Sequence, residues 1–213
     1  MKRLTLFVTA AAVWLLHFAC TAPSGKTNDD TVPAAIAVDG SQDAQELMKK
    51  ALRYDRQGQY EEAAEWYRKA AEQGLSAAQN NLGVMYKDGQ GVERDYSEAV
   101  RWFVLAARQG NVLAQSNLGW MYQAGRGVEQ NYDSARYWYH MAAIKGHAAA
   151  QNNLGNMLRD GLGTKADSDS ARYWYEKAAL QKLPQALHNL EQLKSSAGSA
   201  AYRERSSAGS AGY

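Results

Sequence analysis

Residues 77–111 read AAQNNLGVMYKDGQGVERDYSEAVRWFVLAARQGN, and this stretch decides the fold. Ala78, Leu82, Met85 and Tyr86 recur at i, i+4, i+7 and i+8, the spacing that puts side chains on one face of an α-helix. Gly89 and Gly91 follow and stop that helix, because glycine tolerates the positive φ that a helix C-terminus often demands. Ala99, Trp102, Phe103 and Ala106 form a second stripe at helical spacing, and Gly110 ends it. The stretch is a pair of helices, each with one apolar face. A single pair cannot bury both faces, so pairs must stack.

The rest of the chain supplies the partners. Trp66, Trp102, Trp138 and Trp174 stand 36 residues apart, as do Ala71, Ala107, Ala143 and Ala179. Leu82-Gly83 returns as Leu118-Gly119 and Leu154-Gly155, and the Gly-x-Gly pairs return as Gly125/Gly127 and Gly161/Gly163. Several residue types keep one period over more than 100 residues, which is the signature of a repeat architecture. Gly83, Gly119 and Gly155 fall inside the first helices, where glycine costs about 1 kcal/mol against alanine. That cost is tolerable where a second helix must approach closely, with Trp and Tyr filling the space between pairs.

On these residues the chain resembles the Sel1-like repeat family. The shared pattern is Ala-x-x-x-Leu-Gly-x-x-Tyr, then Gly-x-Gly-Val, then Ala-x-x-Trp-x-x-x-Ala-Ala-x-x-Gly, over 77–111, 113–147 and 149–183. The third copy departs from it at Leu158, Thr164, Ser168 and Lys182. Residues 44–75 resemble a tetratricopeptide repeat, the shorter cousin, whose inter-helix loop lacks Gly-x-Gly. That unit keeps Ala51, Tyr54, Ala63, Tyr67 and Ala70. The resemblance implies an all-α fold, a right-handed α-solenoid of antiparallel helix pairs. The expected units are a tetratricopeptide-like repeat (44–75) and three Sel1-like repeats (76–111, 112–147 and 148–183). A capping helix (184–194) should follow, because Ala186, Asn189 and Leu190 restart the first helix while Glu191 replaces its glycine. Residues 195–213 contain SSAGSAAY and SSAGSAGY, a low-complexity tail expected to be disordered.

Residues 1–19 carry Lys2 and Arg3, then an apolar run from Leu4 to Leu16, the pattern of an export signal. The run is short for a membrane-spanning helix, which needs about 20 apolar residues. Cys20, the sole cysteine, follows Ala19, and this arrangement resembles the cleavage box of bacterial lipoproteins. The resemblance implies a lipid on Cys20 and a membrane tether, although His17 and Phe18 depart from the family's preferred residues. Ordinary signal cleavage and an uncleaved anchor are the alternatives. Residues 20–43 read as a flexible linker. The expected location is the periplasm or outer membrane, or alternatively outside the cell.

The formal net charge is +2, and it falls to zero without residues 1–19. A near-neutral protein is poorly suited to nucleic acid, whose affinity comes from neutralising phosphates. One cysteine permits neither an internal disulfide nor a cysteine-based metal site, and the four histidines show no ligand pair at i, i+4. There is no Gly-x-Ser-x-Gly elbow and no Gly-x-x-x-x-Gly-Lys loop. Asp160, Asp167 and Asp169 read as helix caps and a solvated turn. No cofactor and no catalytic residue are expected.

In the Sel1-like family the first helices line the inner, concave face. Positions turned away from the buried stripe are then Asn81, Asn117 and Asn153; Val84, Trp120 and Asn156; and Lys87, Gln123 and Arg159. A row of Asn amides offers donors and acceptors to a peptide, or bonds neighbouring helices and holds the stack together. Trp120 stands where its counterparts are Val84 and Asn156, so the fold does not demand it, and an aromatic in a groove is a common anchor for partners. The expected function is a non-catalytic adaptor of the cell envelope that binds a protein or peptide. A secreted effector is the alternative. The β-lactam chemistry linked to cysteine-rich relatives does not carry over, since no repeat here contains cysteine.

Overall fold

The computed structural model describes residues 41–195. Cys20, the leader, residues 20–40 of the linker and the tail beyond residue 195 lie outside the described residues. The helices are α1 (Gln42–Arg56), α2 (Tyr60–Glu72), α3 (Ser76–Asp88), α4 (Tyr96–Arg108), α5 (Val112–Ala124), α6 (Tyr132–Ala143), α7 (Ala148–Asp160) and α8 (Ser168–Leu180). A ninth, α9, covers residues 184–195. Extensive helix–helix contacts join consecutive helices, within pairs and from one pair to the next. This is a right-handed α-solenoid, with α1, α3, α5 and α7 as first helices and α2, α4, α6 and α8 as second helices.

Local chemistry sets the helix ends. Gly89, Gly125 and Gly161 close α3, α5 and α7 in the left-handed region, with φ of 70°, 63° and 69°. Asp95, Asn131 and Asp167 cap the starts of α4, α6 and α8 by accepting backbone N–H groups. Each such cap is worth about 1 kcal/mol. Asp167 thus caps a helix, while Asp160 pairs with Arg159 and Asp169 with Arg172.

The interior is rich in alanine, and every pair buries the ring at one equivalent position: Tyr67, Phe103, Tyr139 and Tyr175. The mid-helix glycines make room for these rings. A Cβ on Gly83 would lie 2.7 Å from Phe103, one on Gly119 2.7 Å from Tyr139, and one on Gly155 2.6 Å from Tyr175. The close approach foreseen from the sequence is therefore that of an aromatic face onto the first helix.

The second glycine of each Gly-x-Gly does something the sequence did not reveal. A Cβ on Gly91 or Gly127 would fall onto the backbone of Tyr60 or Tyr96, the first residue of the preceding unit's second helix. Gly163 packs the same way on Tyr132. One glycine ends the helix, and the other docks the loop on the unit before.

A ladder of buried glutamines ties the units as well. Gln79, Gln115 and Gln151 donate to the carbonyls of Ala71, Ala107 and Ala143 at 3.1, 3.1 and 3.0 Å. These carbonyls belong to the last turns of α2, α4 and α6 and already accept the N–H of Gly74, Gly110 and Gly146, so each glutamine adds a second bond. In α9 the equivalent residue is Leu187. It is half exposed, and among the described residues no second helix follows α9. Ala186 and Leu193 of α9 are buried, and Glu191 is exposed.

Candidate partner-binding groove

Two equivalent bonds fix how adjacent first helices meet. Asn117 Nδ2 donates to Asn80 Oδ1 at 3.1 Å, and two units further on Asn189 Nδ2 donates to Asn152 Oδ1 at 2.8 Å. Asn117 and Asn189 therefore each bond the neighbouring first helix. Asn80 Nδ2 donates to Asn81 Oδ1 at 3.3 Å. Asn81 and Asn153 lie against the hydroxyls of Tyr67 and Tyr139. Burial and the neighbouring Asp55 push the Tyr67 hydroxyl up to about 12, and burial pushes Tyr139 still higher. Both phenols thus stay protonated as donors, Tyr67 to Asp55 and Tyr139 to Gln123.

The third row is also engaged. Lys87 Nζ sits 2.7 Å from Asp88, and Arg159 holds Asp160 through two bonds of 2.7 and 2.9 Å. That bond to Asp160 pushes the Arg159 guanidinium up from its ordinary pKa. Gln123 accepts the Tyr139 hydroxyl at 2.9 Å. The middle row differs among units. Val84 packs partly against the core, and Asn156 accepts the Tyr175 hydroxyl at 2.7 Å. Trp120 is 41% exposed.

Of the nine positions selected by helical phase, Trp120 alone offers a large uncommitted apolar surface. Leu113, which the sequence reading did not select, is 52% exposed and precedes Trp120 by two helical turns on α5. Its counterparts are Ala77 and Ala149, so it departs from the repeat pattern as Trp120 does. Together they put two exposed apolar side chains on one side of the central first helix, with Ser116 and Asn117 between them. Among the described residues no cluster of His, Cys, Asp and Glu could hold a metal ion, and no helix is long and apolar enough to cross a membrane.

Stacked helix pairs joined unit to unit, with an exposed aromatic on a first helix, define the class of helical-repeat scaffolds. The Sel1 repeat family matches residues 55–75, 76–111, 112–147 and 148–183, and the chain belongs to that family. The match at 55–75 covers the second half of the unit read above as tetratricopeptide-like. Two solved structures are similar. One is a protective antigen present in uropathogenic Escherichia coli strains, 35% identical with a TM-score of 0.70, over 72% of this chain and 34% of that one. The other is a Sel1 repeat protein from Oxalobacter formigenes, 33% identical with a TM-score of 0.64, over 67% of this chain and 59% of that one. The aligned region thus spans about a third and about three fifths of those proteins. No curated protein matches the chain. Sel1 repeat proteins generally mediate protein–protein interactions and act as non-catalytic scaffolds.

Proposed function

We propose that this protein is a non-catalytic adaptor of the cell envelope that binds a partner protein or peptide along its first-helix face. The observation that carries the reading is Trp120, 41% exposed on α5 with Leu113 beside it on the same helix. Exposed aromatic side chains with little left to lose in conformational entropy are the usual energetic anchors of interfaces. Val84 and Asn156 flank this pair in the neighbouring units. Asn81, Asn117, Asn153, Lys87, Gln123 and Arg159 shape the groove and hold its register while remaining within a partner's reach. The charged and apolar run of residues 2–16, followed by Cys20, supports export and a lipid tether.

Crosslinking in intact cells followed by pull-down tests the reading, comparing wild type with Trp120→Ala. The variant should lose a specific partner while keeping its helical content and melting temperature. An unchanged set of partners together with a lowered melting temperature would assign Trp120 to stability instead. Membrane fractionation of Cys20→Ala tests the tether, and a variant still held in the membrane fraction counts against it. A chromogenic β-lactam should show no turnover with the purified protein.

A further inference from the structure

At the α7–α9 junction, Asn152, Asn156, Pro184, Gln185, His188 and Asn189 line a depression of about 450 Å³. Its hydrogen-bond inventory is one-sided. The Asn189 amide nitrogen donates to Asn152 Oδ1 at 2.8 Å and to Asn156 Oδ1 at 3.1 Å. Asn156 Oδ1 also accepts the Tyr175 hydroxyl at 2.7 Å. These bonds consume both amide oxygens and fix which way each amide points. What remains are the two Nδ2 groups, and neither has a partner among the described residues.

Asn152 is only 7% exposed, yet its Nδ2 is not sealed from solvent, so a group entering the depression can accept from it in place of water. The start of α9 adds to the same polarity. Pro184 opens the helix, and the partial positive charge of a helix N-terminus faces this side. No Asp or Glu lines the depression. The other junctions lack the arrangement: Asn80 spends its Nδ2 on Asn81, and Val84 and Trp120 stand where Asn156 stands.

We propose that this depression binds a carboxylate of an acidic peptide, through the Nδ2 groups of Asn152 and Asn156 at the N-terminal end of α9. The inference rests on the groove reading above and names the partner's chemistry. Packed helices lie about 8–10 Å apart, and an extended chain covers about 3.3 Å per residue. Trp120 is one helix away on α5, so the partner carries its carboxylate about three residues from its apolar anchor.

The test follows the side-chain amide signals of Asn152 and Asn156 in ¹⁵N-labelled protein by NMR. Three probes are titrated: acetyl-Leu-Ala with a free carboxylate, acetyl-Leu-Asp-amide and acetyl-Leu-Ala-amide. Saturable shifts of both amides with an acid probe, at least tenfold weaker with the uncharged amide, are expected. The two acid probes tell a chain end from an acidic side chain. Asn156→Asp keeps the oxygen that accepts from Tyr175 and Asn189 but replaces the free donor by a second oxygen. It should abolish the response with an unchanged melting temperature. Equal response to all three probes, no response, or undiminished binding by a folded Asn156→Asp variant overturns the proposal. If Trp120→Ala still loses its cellular partner in those cases, the groove reading stands without the carboxylate site. Carboxylate binding in a protein whose partners ignore Trp120→Ala supports the site and removes the groove anchor.

Discussion

Gly119 and Tyr139 are a lock of complementary shape: a Cβ on the glycine would lie 2.7 Å from the ring Cδ1. Tyr139 is fully buried and its hydroxyl is tied to Gln123, so the ring has little freedom to retreat. Gly119→Ala should therefore destabilise the protein by about 1–3 kcal/mol through overpacking. That outweighs the gain of about 1 kcal/mol that alanine brings to a helix interior. Urea denaturation of the variant checks the sign. Pairing it with Tyr139→Leu should recover part of the loss, since the smaller side chain vacates the space.

The loop glycines should be less forgiving. At Gly127 the new Cβ would meet the backbone of Tyr96, and φ is 70°. Backbone cannot swing aside as a side chain can, and the left-handed conformation adds roughly 1 kcal/mol of strain. Gly127→Ala should cost more than Gly119→Ala in the same denaturation series. Hydrogen exchange should show the added loss concentrated at the start of α4 and in the α5–α6 loop.

One rung of the glutamine ladder is incomplete. Gln109 donates to Gln79 Oε1 and Gln181 to Gln151 Oε1, at 2.8 and 2.9 Å. The residue in register between them is Lys145, which donates to the Gly110 carbonyl instead. Gln115 Oε1 is left buried without a partner. Lys145→Gln can reproduce both bonds of Gln181, which also reaches the equivalent carbonyl of Gly146. The variant should be more stable by about 1 kcal/mol, read as a higher denaturation midpoint.

His147 caps α7 with its ring, Nδ1 accepting the Ala150 N–H at 3.2 Å. Only the neutral ring can accept, and burial lowers its pKa below the ordinary 6.5. The folded state therefore prefers the unprotonated form. Stability is fully present above pH 6.5 and is lost as pH falls through 6.5 towards the folded value. His140 shifts in the same direction, through burial and then Arg136. Thermal melts between pH 7.5 and pH 5 should show a falling melting temperature in wild type. His147→Asn, an uncharged cap, should flatten part of that slope.

Periodicity made the helix pairs legible, because burial of one face is a local property written at 3.6-residue spacing. Gly89 could be read as a helix stop for the same reason. The docking role of Gly91 could not, since the atom it avoids belongs to Tyr60, 31 positions back. The Asn row was ambiguous in principle: identity in every unit suits both a ligand and an internal stitch. Only the positions of the acceptors show that Asn117 and Asn189 bond a neighbouring first helix. Trp120 was legible because it breaks the repeat, and the same comparison applied to Leu113 against Ala77 and Ala149 would have found it too. The depression at α9 depends on which way three amides point, and residue identity alone does not record that.

The glutamine ladder has a consequence for where such an array can be cut. α2, α4 and α6 each have a late carbonyl that takes a second hydrogen bond from the first helix of the unit after it. The segment that completes itself is thus out of phase with the 36-residue period. A truncation placed at a period boundary strips the preceding helix of its finishing bond, and fraying should start one helix upstream of the cut. A seam placed between a first helix and its own second helix leaves every upstream carbonyl occupied. α9 departs from this rule: it packs on the unit before it through Ala186 and Leu193, but Leu187 stands at the glutamine position and makes no such bond.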